Sequence, residues 1–114
     1  LIQFGINDAF AGVPPAAFRR DLEALIITFQ EANPDGEIVL VPPPPLAWEE
    51  DDAQVEPFRA AALEAAEAQG AGLAPVGEFF RRGHPGAYLA DGVHPAEKGH
   101  AWMAEAVLLT LDSV

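Results

Sequence analysis

Residues 38–46 read IVLVPPPPL, an apolar run followed by four prolines and a leucine. The apolar run contains no alternating polar residues, which is typical of a strand that is covered on both faces of a parallel sheet. Prolines cannot donate backbone hydrogen bonds, so they end the strand and stiffen the loop that follows. We therefore expect a buried parallel strand that leads into a rigid loop. The alternatives are a rigid spacer and a polyproline ligand for a partner module.

Helical patterns lie on both sides of this strand. Residues 14–32 begin with two prolines and carry apolar side chains at helical spacing, namely Phe18, Leu22, Leu25, Ile26 and Phe29. Residues 53–69 are rich in Ala and Glu and follow an acidic turn, so they predict a second helix. A last helix is expected over 95–111, with an apolar face made of Trp102, Ala106 and Leu109.

Two further segments have the character of short strands. Residues 1–4 are extended and stop at a glycine, and residues 73–76 are apolar but contain Pro75, which places that strand at a sheet edge. Residues 77–89 are expected to form a loop. The order strand, helix, strand, helix, strand, loop, helix predicts an α/β fold with a parallel sheet and right-handed crossovers.

Composition restricts the class of protein. The chain has 114 residues, suits one modest domain, and carries a formal charge of −12, which disfavours nucleic-acid partners because phosphates would be repelled. No apolar run approaches the roughly 20 residues of a membrane span. The absence of cysteine excludes disulfides and thiolate metal sites. The compartment and the oligomeric state stay open, including a homo-oligomer.

Two short motifs carry the residues that point to chemistry. Residues 91–95 read DGVHP, so Asp91 and His94 share one turn before a predicted helix. A carboxylate bonded to one imidazole nitrogen leaves the other nitrogen free to take a proton from a nucleophile. Residues 5–8 read GIND and put Asn7 after a predicted strand, as a candidate oxyanion donor. The alternatives are a turn with a capping His94 and a self-bonded Asn7.

A nucleophile to complete this chemistry is missing from the pattern. The chain has no Cys, and its only Ser is Ser113 at the extreme C-terminus. Thr28 and Thr110 both fall inside predicted helices. The sequence also opens at Leu1 directly in strand-like residues, so we expect the natural polypeptide to be longer.

Taken in order, these motifs resemble those of the SGNH hydrolases, the GDSL-type esterases and lipases. GIND at 5–8 looks like their Gly-x-Asn-Asp block, and DGVHP at 91–95 looks like their closing Asp-x-x-His block. IVLVPPPPL at 38–46 is similar to the strand and proline-rich turn of bacterial arylesterase-like members. The Gly-Asp-Ser block that supplies the family's nucleophile, and the block after it, are not present.

The resemblance implies a specific role for this chain. Residues 1–114 would be the C-terminal portion of a single SGNH hydrolase domain, a three-layer flavodoxin-like sandwich, and would supply the last three of its five parallel strands. It implies a serine ester hydrolase that acts on short-chain acyl esters and needs no cofactor or metal. His94 would be the base, Asp91 its orienting acid, and Asn7 with Gly5 the oxyanion or substrate-binding residues. The Ser would lie in an N-terminal segment outside this chain.

Several other residues are weaker candidates. Trp48 follows the prolines and is expected either to wall a substrate pocket or to pack against a helix, and His84 lies in the loop before the DGVHP motif, where it could line the pocket or be exposed. Asp8 is expected to fix its loop. His100 is expected on the surface of the last helix.

Two rival functions remain open at this point. Asp8, Asp91, His94 and His84 could ligate a divalent metal for hydrolysis. The chain could also be a non-catalytic family member that binds a ligand or partner, which would agree with the missing nucleophile.

Overall fold

The computed structural model describes residues 1–81 and 88–112, which form five helices and two short strands within these ranges. The strands are β1 (Val39–Leu40) and β2 (Gly72–Leu73). The helices are α1 (Ile6–Phe10), α2 (Pro15–Ala32), α3 (Glu49–Gln69), α4 (Val76–Phe80) and α5 (Glu97–Asp112). The described part of the chain is thus mostly helical with a small parallel sheet.

The sheet has the predicted parallel pairing. β1 pairs with β2, and the first segment joins the other side of β1 through a parallel bridge between Ile2 and Leu40. The Ile2 amide donates to the Val39 carbonyl at 3.0 Å, and the Val41 amide donates to the Ile2 carbonyl at 2.8 Å. The α/β class with parallel strands is confirmed, although the strand expected over 1–4 pairs only at Ile2.

The apolar run at 38–41 is buried because both faces of β1 are covered. Leu40 packs with residues of α2 and α3, while Val39 and Val41 pack with residues of α4 and α5. Neighbouring side chains of a strand point to opposite faces, so these two clusters lie on opposite sides of the sheet. The unbroken hydrophobic pattern of the strand follows from this arrangement.

The two long helices on one face agree closely with their sequence patterns. In α2, Phe18, Leu22 and Ile26 are buried at intervals of four residues, although Phe29 on the same predicted face is 49% exposed. α3 begins at Glu49 rather than near residue 53, because the acidic residues favour the helix N-terminus and form its first turn. The rings of Phe18 and Phe58 meet edge to face, 5.2 Å between centroids.

Four sequence expectations about the remaining elements were wrong. The predicted strand at 73–76 ends at Leu73, and α4 occupies the start of the predicted loop with Val76, Phe79 and Phe80 buried. α5 begins at Glu97, because Pro95 instead forms an antiparallel bridge with Leu89. Its buried face contains Met103 and Ala106, whereas Leu109 is 53% exposed.

In the described ranges, no helix combines the length and the hydropathy needed to cross a bilayer.

Candidate active site

Asp91 and His94 are joined by a tight network within one turn. One oxygen of the Asp91 carboxylate, Oδ1, accepts from the backbone amides of Val93 at 3.0 Å and His94 at 2.7 Å. The other oxygen, Oδ2, lies 2.6 Å from His94 Nδ1. Gly92 between them has a φ of +83°, a conformation that side chains rarely adopt. The turn therefore fixes the imidazole through its Nδ1 atom.

The charge of Asp91 is stabilised by these contacts. The backbone amide of His94 lowers the pKa of Asp91 the most, followed by the His94 ring and the Val93 amide, and together they bring it to about 2. The carboxylate stays ionised wherever an imidazole can lose its proton. With Nδ1 engaged, His94 presents Nε2 to its surroundings, and 73% of its side chain is exposed. This arrangement suits a general base.

The first motif forms a second turn at the end of the Ile2 segment. Gly5 has a φ of +133° and a ψ of −37°, which lets the chain leave the sheet and enter α1 at once. The Gly5 carbonyl accepts from the Ala9 amide at 2.9 Å. Asn7 lies in α1 and is exposed, and its side-chain amide bonds to none of the residues that the structure describes. The alternative expectation was that the Asn7 side chain would bond to the backbone of its own turn, and the structure does not show this bond.

A cavity of about 320 Å³ brings the two motifs together. It is lined by Gln3, Phe4, Gly5, Ile6, Asn7, Asp8, Pro43, Pro44, Val93, His94 and Pro95. The Ile2 segment and β1 both run towards this end of the sheet, so the cavity lies at the carboxyl edge of parallel strands, where ligands of such sheets bind. Asn7 and His94 share its wall.

Other predicted residues lie in different places. Trp48 is 58% exposed and lies outside the lining of this cavity, against the backbone of Gly92, where an added Cβ would overlap the indole. Asp8 lines the cavity, and its backbone carbonyl accepts from the Val13 amide, which ties the turn. His100 is exposed on α5. His84 lies outside the described residues.

Arg59 was not identified from the sequence. Its guanidinium fixes the proline-rich loop. Its guanidinium donates to the carbonyls of Pro43 at 2.9 Å and Pro44 at 2.7 Å, and pairs with Asp52 at 2.7 Å. Only 15% of the Arg59 side chain is exposed. The signal in the sequence was an Arg two helical turns after Asp52 in a helix that directly follows the prolines.

The described residues contain no group of three or more His, Asp or Glu side chains that could hold a metal ion. The metal hypothesis of the sequence analysis used His84, which lies outside that part of the chain. Within it, both oxygens of Asp91 are already engaged by the turn.

The sequence model of the GDSL-like lipase/acylhydrolase family matches residues 1–102. The chain belongs to this family. The resemblance that the GIND and DGVHP motifs indicated is therefore confirmed. No curated protein matches the sequence.

Solved structures of related proteins share the fold. LAE5, an alpha/beta hydrolase from the metagenome of Lake Arreo, has a TM-score of 0.81 at 25% identity, with 96% of this chain and 57% of that chain covered. Axe2, an acetylxylan esterase from Geobacillus stearothermophilus, has a TM-score of 0.78 at 21% identity over the same shares. A lipolytic G-D-S-L family protein from Veillonella parvula has a TM-score of 0.72 at 17% identity, with 98% and 62% covered. The chain thus spans less than two thirds of the length of these solved structures.

Proposed function

We propose that residues 1–114 are the C-terminal portion of one SGNH hydrolase domain, which when complete is a three-layer, flavodoxin-like sandwich. The complete domain cleaves short-chain acyl esters with a Ser-His-Asp triad. His94 and Asp91 belong to this chain, and the Ser lies outside it. The observation that carries the proposal is the cavity that His94, already bonded to Asp91, shares with Gly5 and Asn7.

In this proposal each residue of the site has one role. The Ser hydroxyl attacks the ester carbonyl while His94 Nε2 takes its proton, and Asp91 offsets the charge of the imidazolium. His94 then protonates the leaving alcohol, and a water activated by the same nitrogen releases the acid. Asn7 donates its free amide to the oxyanion at each tetrahedral stage. Gly5 turns the chain so that Asn7 reaches the cavity.

The aliphatic hydroxyls of the described residues support a nucleophile that lies outside this chain. Thr28 donates to the Ala24 carbonyl at 2.9 Å on α2, and Thr110 donates to the Ala106 carbonyl at 3.0 Å on α5. Both are committed to their own helices, and neither lines the cavity with His94.

The open edge of the sheet beside Ile2 supports further strands in the complete domain. Both backbone groups of Ile2 bond to β1, so those of Gln3 point to the other side of the segment, where they meet no partner among the described residues. Leu1 is 77% exposed and Phe4 58% exposed beside this edge. Such an edge is expected to pair with further strands or to aggregate. Two preceding strands of the same domain would cover it.

The size of the cavity favours a small acyl group. A volume of about 320 Å³ is at the low end of the roughly 300 to 1,000 Å³ typical of ligand pockets. Pro43 and Pro44 on its wall are fixed by Arg59. We therefore propose acetyl and similarly short esters as substrates.

The test is labelling of the natural polypeptide with a fluorophosphonate probe, followed by mapping of the modified residue. The label should fall on a Ser outside residues 1–114, and this chain expressed alone should take no label. The variant His94→Gln should lose labelling and turnover of acetyl esters. His100→Gln, which changes an exposed imidazole on α5, is the matched control and should keep both.

Three results would contradict the proposal. Labelling that survives His94→Gln would move the base to another residue, and strong labelling of this chain alone would mean that the nucleophile is misplaced. A natural polypeptide that takes no label but binds acyl esters would instead indicate a non-catalytic binding domain.

A further inference from the structure

The proline-rich loop cannot fasten itself to the rest of the protein through its own amides. Residues 42–45 are four consecutive prolines, which carry carbonyl acceptors but no backbone donors. Any hydrogen bond to this stretch has to come from a donor elsewhere. Arg59 on α3 supplies such donors, since its guanidinium reaches the carbonyls of both Pro43 and Pro44.

The same guanidinium also joins the loop to the start of α3. Arg59 Nη2 bonds to Asp52 Oδ1 at 2.7 Å, and that oxygen accepts from the Leu46 amide at 2.8 Å. Arg59 Nη1 pairs with Glu56 at 2.8 Å. The loop is thus held at Pro43 and Pro44 by Arg59 itself and at Leu46 by Asp52, the ion-pair partner of Arg59. A flat, five-donor group suits this task better than an ammonium.

The loop in turn touches both halves of the candidate site. Pro43 packs so closely on Gly5 that a Cβ added there would lie 3.1 Å from Pro43 Cγ. At the other end of the loop, the Ala47 amide donates to the Gly92 carbonyl at 3.0 Å, inside the Asp91–His94 turn. The loop therefore bridges the turn that carries Asn7 and the turn that carries His94.

We infer that Arg59 is a positioning residue that holds the two turns of the site in register through the proline-rich loop. This inference rests on the proposed esterase function. Arg59 does not line the cavity, so its effect on the reaction passes through Pro43 and Ala47. Removing its donors should loosen the loop and misalign Asn7 with His94. The entry of the ester into the cavity should stay unchanged.

The experiment compares Arg59→Met and Arg59→Lys in the natural polypeptide, with Arg20→Met as the matched control. Arg20 is exposed on α2, and among the described residues its side chain makes only a 3.5 Å pair with Asp21. Residue-resolved hydrogen exchange reports on the Ala47 amide, with the Ile26 amide in the core of α2 as the internal reference. Steady-state kinetics on an acetyl ester give kcat and KM separately.

In Arg59→Met, exchange at Ala47 should accelerate by about tenfold or more, because its bond to Gly92 is no longer held in place. Exchange at Ile26 should stay within about twofold of the parent, since no contact of the α2 core is removed. The kcat should fall by about 10-fold to 100-fold with KM nearly unchanged, as expected for misaligned reacting groups. Arg59→Lys should be intermediate, and Arg20→Met should match the parent.

Other outcomes overturn the inference. Equal acceleration of hydrogen exchange at Ala47 and Ile26 would mean that Arg59 only stabilises the fold as a whole. Unchanged kcat in a folded Arg59→Met variant would refute a positioning role even if exchange changed. If Ala47 responds but the parent itself has no esterase activity, the proposed function fails while the coupling of Arg59 to the site turns stands.

Discussion

Replacing Gly5 with Ala tests the turn on which Asn7 depends. Gly5 has a φ of +133° and a ψ of −37°, far from any region that L-residues favour. Backbone strain of this kind costs about 1 to 3 kcal/mol, and this position belongs in the upper half of that range. An added Cβ would also lie 3.1 Å from Pro43 Cγ and 3.6 Å from Phe58 Cβ.

Pro43 has little freedom to give way, because Arg59 holds its carbonyl at 2.9 Å. We add about 1 kcal/mol for this crowding, the lower end of the range for overpacked sites. Gly5→Ala should therefore lower the free energy of unfolding by about 3 to 4 kcal/mol.

Gly70→Ala and Gly12→Ala are the matched controls. Gly70 has a φ of +67° and Gly12 a φ of +77°, and neither would place a Cβ within 4 Å of another group. Each should lose only about 1 to 2 kcal/mol, the ordinary cost of a left-handed residue. Urea unfolding of the natural polypeptide measures the difference, which at an m-value of about 2 kcal/mol per molar would separate the midpoints by roughly 1 M. Equal losses in the three variants would refute both the strained turn and its contact with Pro43.

Three further predictions concern the side chains of the site. Because the pKa of Asp91 is lowered from 3.8 to about 2 in the folded chain, its stabilising effect is complete above about pH 4 and is lost as the pH falls towards 2; Asp91→Asn should remove that part of the acid dependence in unfolding midpoints measured across this range. Turnover of acetyl esters should be nearly abolished in His94→Gln, because an amide cannot take the proton of the nucleophile; a full rate in that variant would assign the base elsewhere. Asn7→Ala should lower kcat by about 100-fold to 1,000-fold, and a change in KM alone would assign Asn7 to substrate binding instead.

Long-period patterns in the sequence were sufficient for the larger elements of the fold. α2 was predicted almost to the residue, because two prolines mark its start and Phe18, Leu22 and Ile26 repeat over several turns. The short helices α1 and α4 were missed, since each has five residues and shows no full hydrophobic period. The face of α5 was only partly right, because the burial of a helix face depends on its neighbours.

Some residues of the candidate site are held by local contacts and others by contacts that are distant in the sequence. Asp91 and His94 are three residues apart, so a turn alone brings them together and the motif predicts their contact. Arg59 meets Pro43 and Pro44 across a separation of 16 and 15 residues. That contact exists only after α3 has packed against the sheet, so the spacing of Asp52 and Arg59 on the helix indicates their ion pair but not the bonds to the prolines. Trp48 was expected at the pocket or a helix and lies instead against Gly92, for the same reason.

The local and the distant contacts of the site should respond differently to a loss of stability. The Asp91–His94 contact is closed by bonds within one exposed turn, so it can survive a loss of core packing. The position of Asn7 relative to His94 depends on Gly5, Pro43 and the packing of α3, which all belong to the folded core. Mild destabilisation should therefore separate the amide from the imidazole before it breaks the acid–base pair. Activity would be lost while the ionisation of Asp91 still reported an intact turn, so the proline-rich loop, rather than the Asp-x-x-His motif, sets the stability of the site.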